Sequence, residues 1–361
     1  MTTLLPADRP ARILVTRTDR IGDLVLSTPV FKALREKYPA AWIACLTFQE
    51  NRELVQGNPF LNEIILYDKR GREKGWFGNW RLARALARKK FDAVVHLHAT
   101  NRMHLLTWMA QIPVRIGWRR KCDWALTLAL EDKKKEGLKH EAAYNFQLLQ
   151  PLGVAEPPLL QAFVPLTERN ACSLEELFLQ LGISAARPWV VLSPSASCPS
   201  KRWPAERFGE LADKISARHP VEILAIGAPA ERPLIERLRG AAKVRVHDLS
   251  GKLSLGTLAA LLSRAALLIS NDSGPVHIAN AVGTPAISIF GRRQAGLSPK
   301  RWGPLDSRSR VVWKDAGCDP CLAHACEIHF ICLDRITAED VFQEVRHFED
   351  RLLKESAPCP R

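Results

Sequence analysis

Short apolar runs alternating with helical stretches recur along this chain, stop once, and then resume. Ile13–Thr16, Trp42–Leu46, Glu63–Leu66 and Ala93–Val95 read as strands, with helices over Leu24–Lys37 and Trp80–Lys90 between them. Strands that alternate with helices predict a parallel sheet covered on both faces. The alternation stops over residues 155–167, where Pro157, Pro158 and Pro165 mark a connection between domains. It restarts with strands at Trp189–Leu192, Val221–Ile226, Ala265–Ser270 and Ala286–Ile289 and a helix over Ala205–Arg218, with no repeat of the sequence itself. The expected fold class is therefore α/β: two Rossmann-like, doubly wound parallel-sheet domains, 1–160 and 161–361. Thr337 and Asp340 have the spacing of a capping box, and Val341, Val345, Phe348 and Leu352 then share one face. This predicts a last helix over about 337–355, for which one placement is back toward the N-terminal domain.

The length of 361 residues suits two such domains. A chain that is 47% hydrophobic and 25% charged is globular, which excludes a disordered one. The longest apolar runs, such as Ala265–Ile269, fall far short of the ~20 residues that cross a bilayer. The start of the chain lacks a basic region followed by an apolar run, so no secretory signal is read. Five of the nine cysteines (Cys45, Cys122, Cys172, Cys198, Cys359) are scattered, which suits a reducing compartment. A cytoplasmic location is expected. The net charge of +14 is uneven: the first 165 residues hold 26 Lys and Arg against 16 Asp and Glu. A basic half attracts polyanions such as nucleic acid, an anionic membrane surface or an acidic acceptor.

Three stretches that follow strands in the C-terminal half are candidates for binding a diphosphate. Ser270–Pro285 follows a buried-type strand and opens a helix at Asp272-Ser273-Gly274-Pro275, where free N–H groups and the positive end of the helix dipole suit an anion. The plainer reading is that Asn271 and Asp272 only cap the helix. Ser193–Pro204 sets Ser195 and Ser197 beside Lys201; it lacks the glycines of a Walker loop, and a solvated loop is the plainer reading. Gly227–Glu231 places an acid where a ribose could bind, or where a helix merely begins. In the N-terminal half, Asp23 follows the first strand, either as a general base or as an N-cap. Residues 69–90 carry nine Lys and Arg against Glu73 alone, with Trp76, Phe77 and Trp80 interleaved; Trp118–Lys121 and Trp124 repeat the mixture. That pattern suits an anionic membrane interface or nucleic acid, and equally a solvated helix. Cys318, Cys321, Cys326 and Cys332 have spacing that suits structural zinc, while thiols without metal are the favoured reading.

Taken together, three blocks resemble glycosyltransferase family 9, the lipopolysaccharide heptosyltransferases. They are Arg17–Pro29 with Gly22-Asp23, Lys201-Arg202-Trp203-Pro204, and Asp272-Ser273-Gly274-Pro275-Val276-His277 with Ala279, Gly283 and Pro285. The resemblance spans about residues 12 to 345. It implies a GT-B fold with two domains facing a central cleft, the first binding acceptor and the second nucleotide-sugar donor, and an inverting transfer with no metal required. By motif it implies that Asp23 is the general base and Lys201 the counter-charge to the leaving diphosphate. Ser195, Ser197, Lys201, Glu231, Asp272, Ser273, Gly274 and His277 would form the donor site, and Arg20, His98, Arg102 and Arg120 the acceptor site. The donor so implied is ADP-heptose. The acceptor is an anionic glycolipid, Kdo-lipid A or its heptosylated form, with the enzyme peripheral to the cytoplasmic face of the inner membrane. Ala196 and Thr18-Asp19-Arg20 depart from the pattern of some members and leave room for another sugar or nucleotide on another bacterial glycan. A different class, a basic nucleic-acid-binding α/β protein, has no recognition motif behind it. A non-catalytic nucleotide-sugar sensor would not need both Asp23 and Lys201.

Overall fold

The computed structural model describes residues 4–353. Its contacts divide the chain into two compact units, Met1–Pro165 and Leu166–Arg361.

The N-terminal unit is built on six parallel strands: β1 Arg12–Arg17, β2 Trp42–Phe48, β3 Glu63–Tyr67, β4 Ala93–His96, β5 Val114–Trp118 and β6 Leu128–Leu130. They lie in the order β3-β2-β1-β4-β5-β6. Val15 pairs with Cys45 on one side and Val95 on the other. Such a strand is covered on both faces, which is why β1 reads as an unbroken apolar run. β5 and β6 escape a reading by pattern: β5 is interrupted by Arg115 and Gly117, and β6 is three half-buried residues, Leu128–Leu130, too short to stand out. The helices are α1 Ile21–Val25, α2 Thr28–Lys37, α3 Trp76–Arg88, α4 Asn101–Met109 and α5 Glu141–Gln147. The single helix expected over 24–37 is two. Pro29 has no N–H to extend a ladder, so it sits in the first turn of a new helix. Ser27 Oγ and Thr28 Oγ1 donate to the carbonyls of Asp23 and Val25, both at 2.7 Å, and stitch the break.

The C-terminal unit repeats the plan with β7 Trp189–Ser193, β8 Glu222–Ala225, β9 Val246–Asp248, β10 Leu267–Asn271, β11 Ala286–Ile289 and β12 Arg310–Val312. Their order is β12-β11-β10-β7-β8-β9, again all parallel. α6 Glu168–Leu181, α7 Ala205–Ser216, α8 Arg232–Ala241, α9 Leu255–Arg264 and α10 Gly274–Ala281 surround it. The helix Ala338–Val345 opens on the expected capping box: Thr337 Oγ1 accepts from the Asp340 N–H, and Asp340 Oδ2 accepts from the Thr337 N–H. Its Val341 and Val345, with Phe348 and Leu352 beyond, are buried in the core of the C-terminal unit beside α7.

In each sheet the strand order reverses at the centre, between β1 and β4 and between β7 and β10. Successive loops leave in opposite directions there, and the carboxyl ends of those strands open a crevice where ligands bind in doubly wound sheets. The loops that carry Asp23, His98, Lys201 and Asp272 all leave from these four strand ends.

Candidate active site

In the N-terminal unit the crevice is organised by Arg17, the last residue of β1, which is almost fully buried. Its guanidinium donates to Asp19 Oδ1 at 2.9 Å, Asp23 Oδ1 at 2.6 Å, Glu141 Oε1 at 3.3 Å, Asn145 Oδ1 at 3.2 Å and the Leu97 carbonyl at 3.1 Å. Lys134 Nζ donates to the same Glu141 oxygen at 2.7 Å. Asp23 is not an N-cap. Arg20 occupies that position, and Asp23 lies inside α1 with its carboxylate held from below by Arg17. One carboxylate oxygen is thus fixed by Arg17. Burial pushes the Asp19 carboxyl up to about 7; Arg17 pulls it down, while Asp23 and Glu141 add to the rise. His98, two residues after β4, donates from Nδ1 to the Thr18 carbonyl at 3.2 Å and lies 3.7 Å from Asp19. Burial and the nearby Arg17 pull its imidazole down to about 4, so it is neutral at physiological pH.

Of the expected acceptor residues, His98 therefore joins the Asp19–Asp23 cluster, and Arg20 is exposed at the start of α1. Arg102 and Arg120 are engaged elsewhere in the unit, Arg102 with the Tyr67 hydroxyl at 2.8 Å and Arg120 with Asp132 at 2.9 Å. Glu141, Asn145 and Lys134 were not legible as site residues. Glu141 and Asn145 reach Arg17 across more than a hundred positions, and Lys134 joins through Glu141; none carries a local pattern.

In the C-terminal unit the two blocks after β7 and β10 meet. Asn271 binds the β7 loop at both ends of its amide: Nδ2 donates to the Pro194 carbonyl at 2.7 Å, and Oδ1 accepts from the Trp203 N–H at 3.1 Å. Lys201 Nζ reaches Asp272 Oδ2 at 3.0 Å and the Asp272 carbonyl at 3.2 Å. Arg292 Nη2 donates to the same Oδ2 at 2.5 Å. Neither Asn271 nor Asp272 is a simple cap; Ser273 is the N-cap of α10, and its hydroxyl meets that of Ser270 at 2.9 Å. Burial pulls the Lys201 ammonium down, Asp272 pulls it back up, and Arg292 adds to the lowering. Two cations thus face one carboxylate, at the mouth of a helix whose first N–H groups are unpaired within it. That surplus of positive charge fits a diphosphate.

The other expected donor residues are distributed around this centre. Gly274 begins α10, and His277 is buried one turn along it. Ser195 is buried at the end of β7, while Ser197 is exposed on the following loop. Glu231 sits in a turn after β8, where its Oε2 accepts from the Ala228 N–H at 2.7 Å. Arg292 was missed, although a basic residue three positions beyond a strand end, in Phe290-Gly291-Arg292, was a visible signal. Gly291 is required there: a Cβ would lie 2.6 Å from Leu333 Cγ and 2.9 Å from the Ser200 carbonyl.

The cysteine segment packs behind this loop. Cys332 Sγ donates to the Gly291 carbonyl at 2.9 Å, and Ser200 Oγ pairs with His324 Nδ1 at 3.0 Å. The Cys321 thiol is lowered: burial raises it, but backbone N–H groups of Arg293, Ala323 and Gln294, with the Arg293 charge, outweigh that. Among the described residues no group of three or more His, Cys, Asp or Glu side chains is arranged to hold a metal ion. Cys359 lies outside the described residues.

Comparison with known proteins decides the family. The profile of glycosyltransferase family 9 (heptosyltransferase) matches residues 79–331, well over half of the chain. The chain belongs to glycosyltransferase family 9. The lipopolysaccharide core heptosyltransferase OpsX of Haemophilus influenzae is 26% identical over 84% of this chain and 85% of its own. Lipopolysaccharide heptosyltransferase 2 of Escherichia coli is 25% identical over 83% and 87%. Among solved structures, a family 9 glycosyl transferase from Veillonella parvula superposes with a TM-score of 0.84 at 26% identity, covering 95% of this chain and 97% of that one. ADP-heptose heptosyltransferase II of Escherichia coli shares the fold, with a TM-score of 0.76 at 23% identity over 93% and 98%. The family 9 enzyme is thus a glycosyltransferase with two α/β units, as the motifs implied.

Proposed function

We propose that this glycosyltransferase transfers heptose from ADP-heptose, with inversion, to an anionic glycolipid acceptor of the lipopolysaccharide inner core. The observation that carries the reading is the convergence of Lys201 and Arg292 on Asp272 at the N-terminus of α10, a built receptor for a diphosphate. The names of its relatives supply the sugar and the acceptor. In this reading the C-terminal unit holds the donor and the N-terminal unit the acceptor.

The chemistry follows. Asp23 takes the proton from the acceptor hydroxyl as its oxygen forms a bond to the anomeric carbon. On the opposite face the bond from that carbon to the diphosphate oxygen breaks, and the electron pair leaves with ADP. Lys201, Arg292 and the N–H groups of α10 neutralise the departing charge, a task they can perform without a metal ion. Arg17 holds the Asp23 carboxylate in place through the 2.6 Å contact to Oδ1. Asp272, paired with both cations, would accept hydrogen bonds from sugar hydroxyls. The cysteine segment serves as a buttress behind the Arg292 loop, through the Cys332 hydrogen bond to the Gly291 carbonyl. In this reading the enzyme meets its glycolipid acceptor at the cytoplasmic face of the inner membrane; no described helix is long and apolar enough to cross a bilayer.

Calorimetry with ADP-heptose, ADP, UDP and GDP tests the reading. Micromolar binding of ADP and tighter binding of ADP-heptose is the expected result, followed by transfer to Kdo-lipid A. Preference for another nucleotide would overturn the donor assignment and leave the family intact.

A further inference from the structure

The N-terminal unit exposes aromatic rings in a way the transfer chemistry does not use. On α3, Trp76 and Trp80 lie one turn apart on a line continued by Arg84 and Ala87, while Leu82, Ala83 and Leu86 face the core. Trp76 and Phe77 are 67% and 83% exposed, far more than packing alone would leave. α4 lies alongside and presents Trp108, whose ring meets the exposed Trp124 edge to face at 5.6 Å. Between the two helices runs an open crevice of about 400 Å³, floored by Ala83, Ala87 and Met109 and walled by Trp80 and Trp108.

Cations surround these rings. Arg84 lies over the Trp80 ring at 4.9 Å, and Arg81, Arg88 and Lys90 are exposed on the same helix or just beyond it. No acid occurs between Lys74 and Asp92. A soluble surface rarely shows five large aromatic side chains together without a partner. Indole rings beside arginines are the composition that settles at the headgroup level of a bilayer, rings toward the acyl chains and cations toward the phosphates. Bases of a single strand would stack on such rings, but the chain carries no nucleic-acid recognition motif, and an apolar crevice floored by alanines and a methionine fits acyl chains.

We propose that the face formed by α3, α4 and the turn at Trp124 docks this enzyme onto an anionic lipid bilayer. Charge complementarity selects the occupant: the rings insert shallowly while Arg81, Arg84 and Arg88 pair with lipid phosphates. The proposal builds on the reading of the acceptor as a membrane glycolipid, and its test is separable from that reading.

The experiment is flotation of the full chain with vesicles of phosphatidylcholine, with or without phosphatidylglycerol, at low and high salt. Wild type should float with the anionic vesicles and be released by salt. The variant R81Q/R84Q/R88Q should lose about a hundredfold in affinity, since each basic residue near an anionic surface contributes about fivefold. The variant W76A/W80A/W108A should lose binding even at low salt. Both should keep wild-type ADP affinity and activity on a delipidated acceptor, which shows that they are folded. Brominated lipids should quench the tryptophan emission of wild type and leave that of the triple tryptophan variant nearly unchanged. Vesicle binding that survives both sets of substitutions would overturn the proposal. So would tight binding of duplex DNA, or self-association, lost in these variants while vesicle binding persists. Absence of transfer or ADP binding alongside intact flotation would fail the functional reading alone.

Discussion

Replacing Arg17 by methionine should separate its electrostatic role from its bulk. The methionine side chain nearly fills the space of the arginine stem, so the change removes chiefly the guanidinium and its five hydrogen bonds. Asp19, Asp23 and Glu141 then share a buried site in which Lys134 still pairs with Glu141. Removing one partner of a buried ion pair costs about 3–5 kcal/mol. With Lys134 still present, the lower end, about 3 kcal/mol, is expected. For a unit of this size that lowers the thermal midpoint by about 6–12 °C. The loss must depend on pH with a definite sign. Without the guanidinium the carboxyls titrate higher in the folded unit than in the unfolded chain, so their contribution is present at low pH and lost as the pH rises. The midpoint deficit should therefore be largest near pH 8 and shrink toward pH 5, as followed by calorimetric melting of wild type and variant across that range. An equal deficit at both ends would refute the charge argument and leave packing as the cause.

Further outcomes follow from the same geometry. Lys201→Met and Arg292→Gln should each weaken ADP binding by roughly 10–100-fold in calorimetry, the value of one charge-assisted contact; unchanged ADP affinity in Arg292→Gln would remove that residue from the donor site. Asp23→Asn should lower kcat by about 10²–10⁴-fold with ADP affinity preserved, as measured by transfer to acceptor. Because the Asp19 carboxyl is raised to about 7 in the fold, it costs stability as the pH climbs from about 4 through 7. Asp19→Asn should thus melt higher than wild type at pH 8 and match it near pH 4. Trp203→Ala should cost about 3–5 kcal/mol in denaturant unfolding, since the ring is buried against Phe208 and its Nε1 donates to the Ile336 carbonyl at 2.8 Å.

The central strands β1, β4, β7, β10 and β11 were legible because strands buried on both faces must be apolar throughout. Strands β5, β6, β9 and β12 were not: β5 is interrupted by Arg115 and Gly117, and the other three are only three residues long, too short to show a pattern. Likewise the loops of the site announced themselves, Lys201-Arg202-Trp203-Pro204 and Asp272-Ser273-Gly274-Pro275 each following a strand and preceding a helix or turn. Local chemistry at a strand end is written in consecutive residues.

Which of those residues act on one another was not so written. That Asp272 is shared by Lys201 and Arg292, and that Arg17 gathers Asp19, Asp23 and Glu141, depend on strand order, which sets distant loops side by side at the point where the order reverses. The same holds for the aromatic face. Composition placed tryptophans among arginines, but only the packing of α3 against α4 decided that the rings stay outside. Sequence by itself determined most of the central strands, the family and the residue types at the strand ends, because periodicity and motif are local. Tertiary structure decided partners, protonation and exposure, because burial and charge coupling are properties of groups brought together from afar.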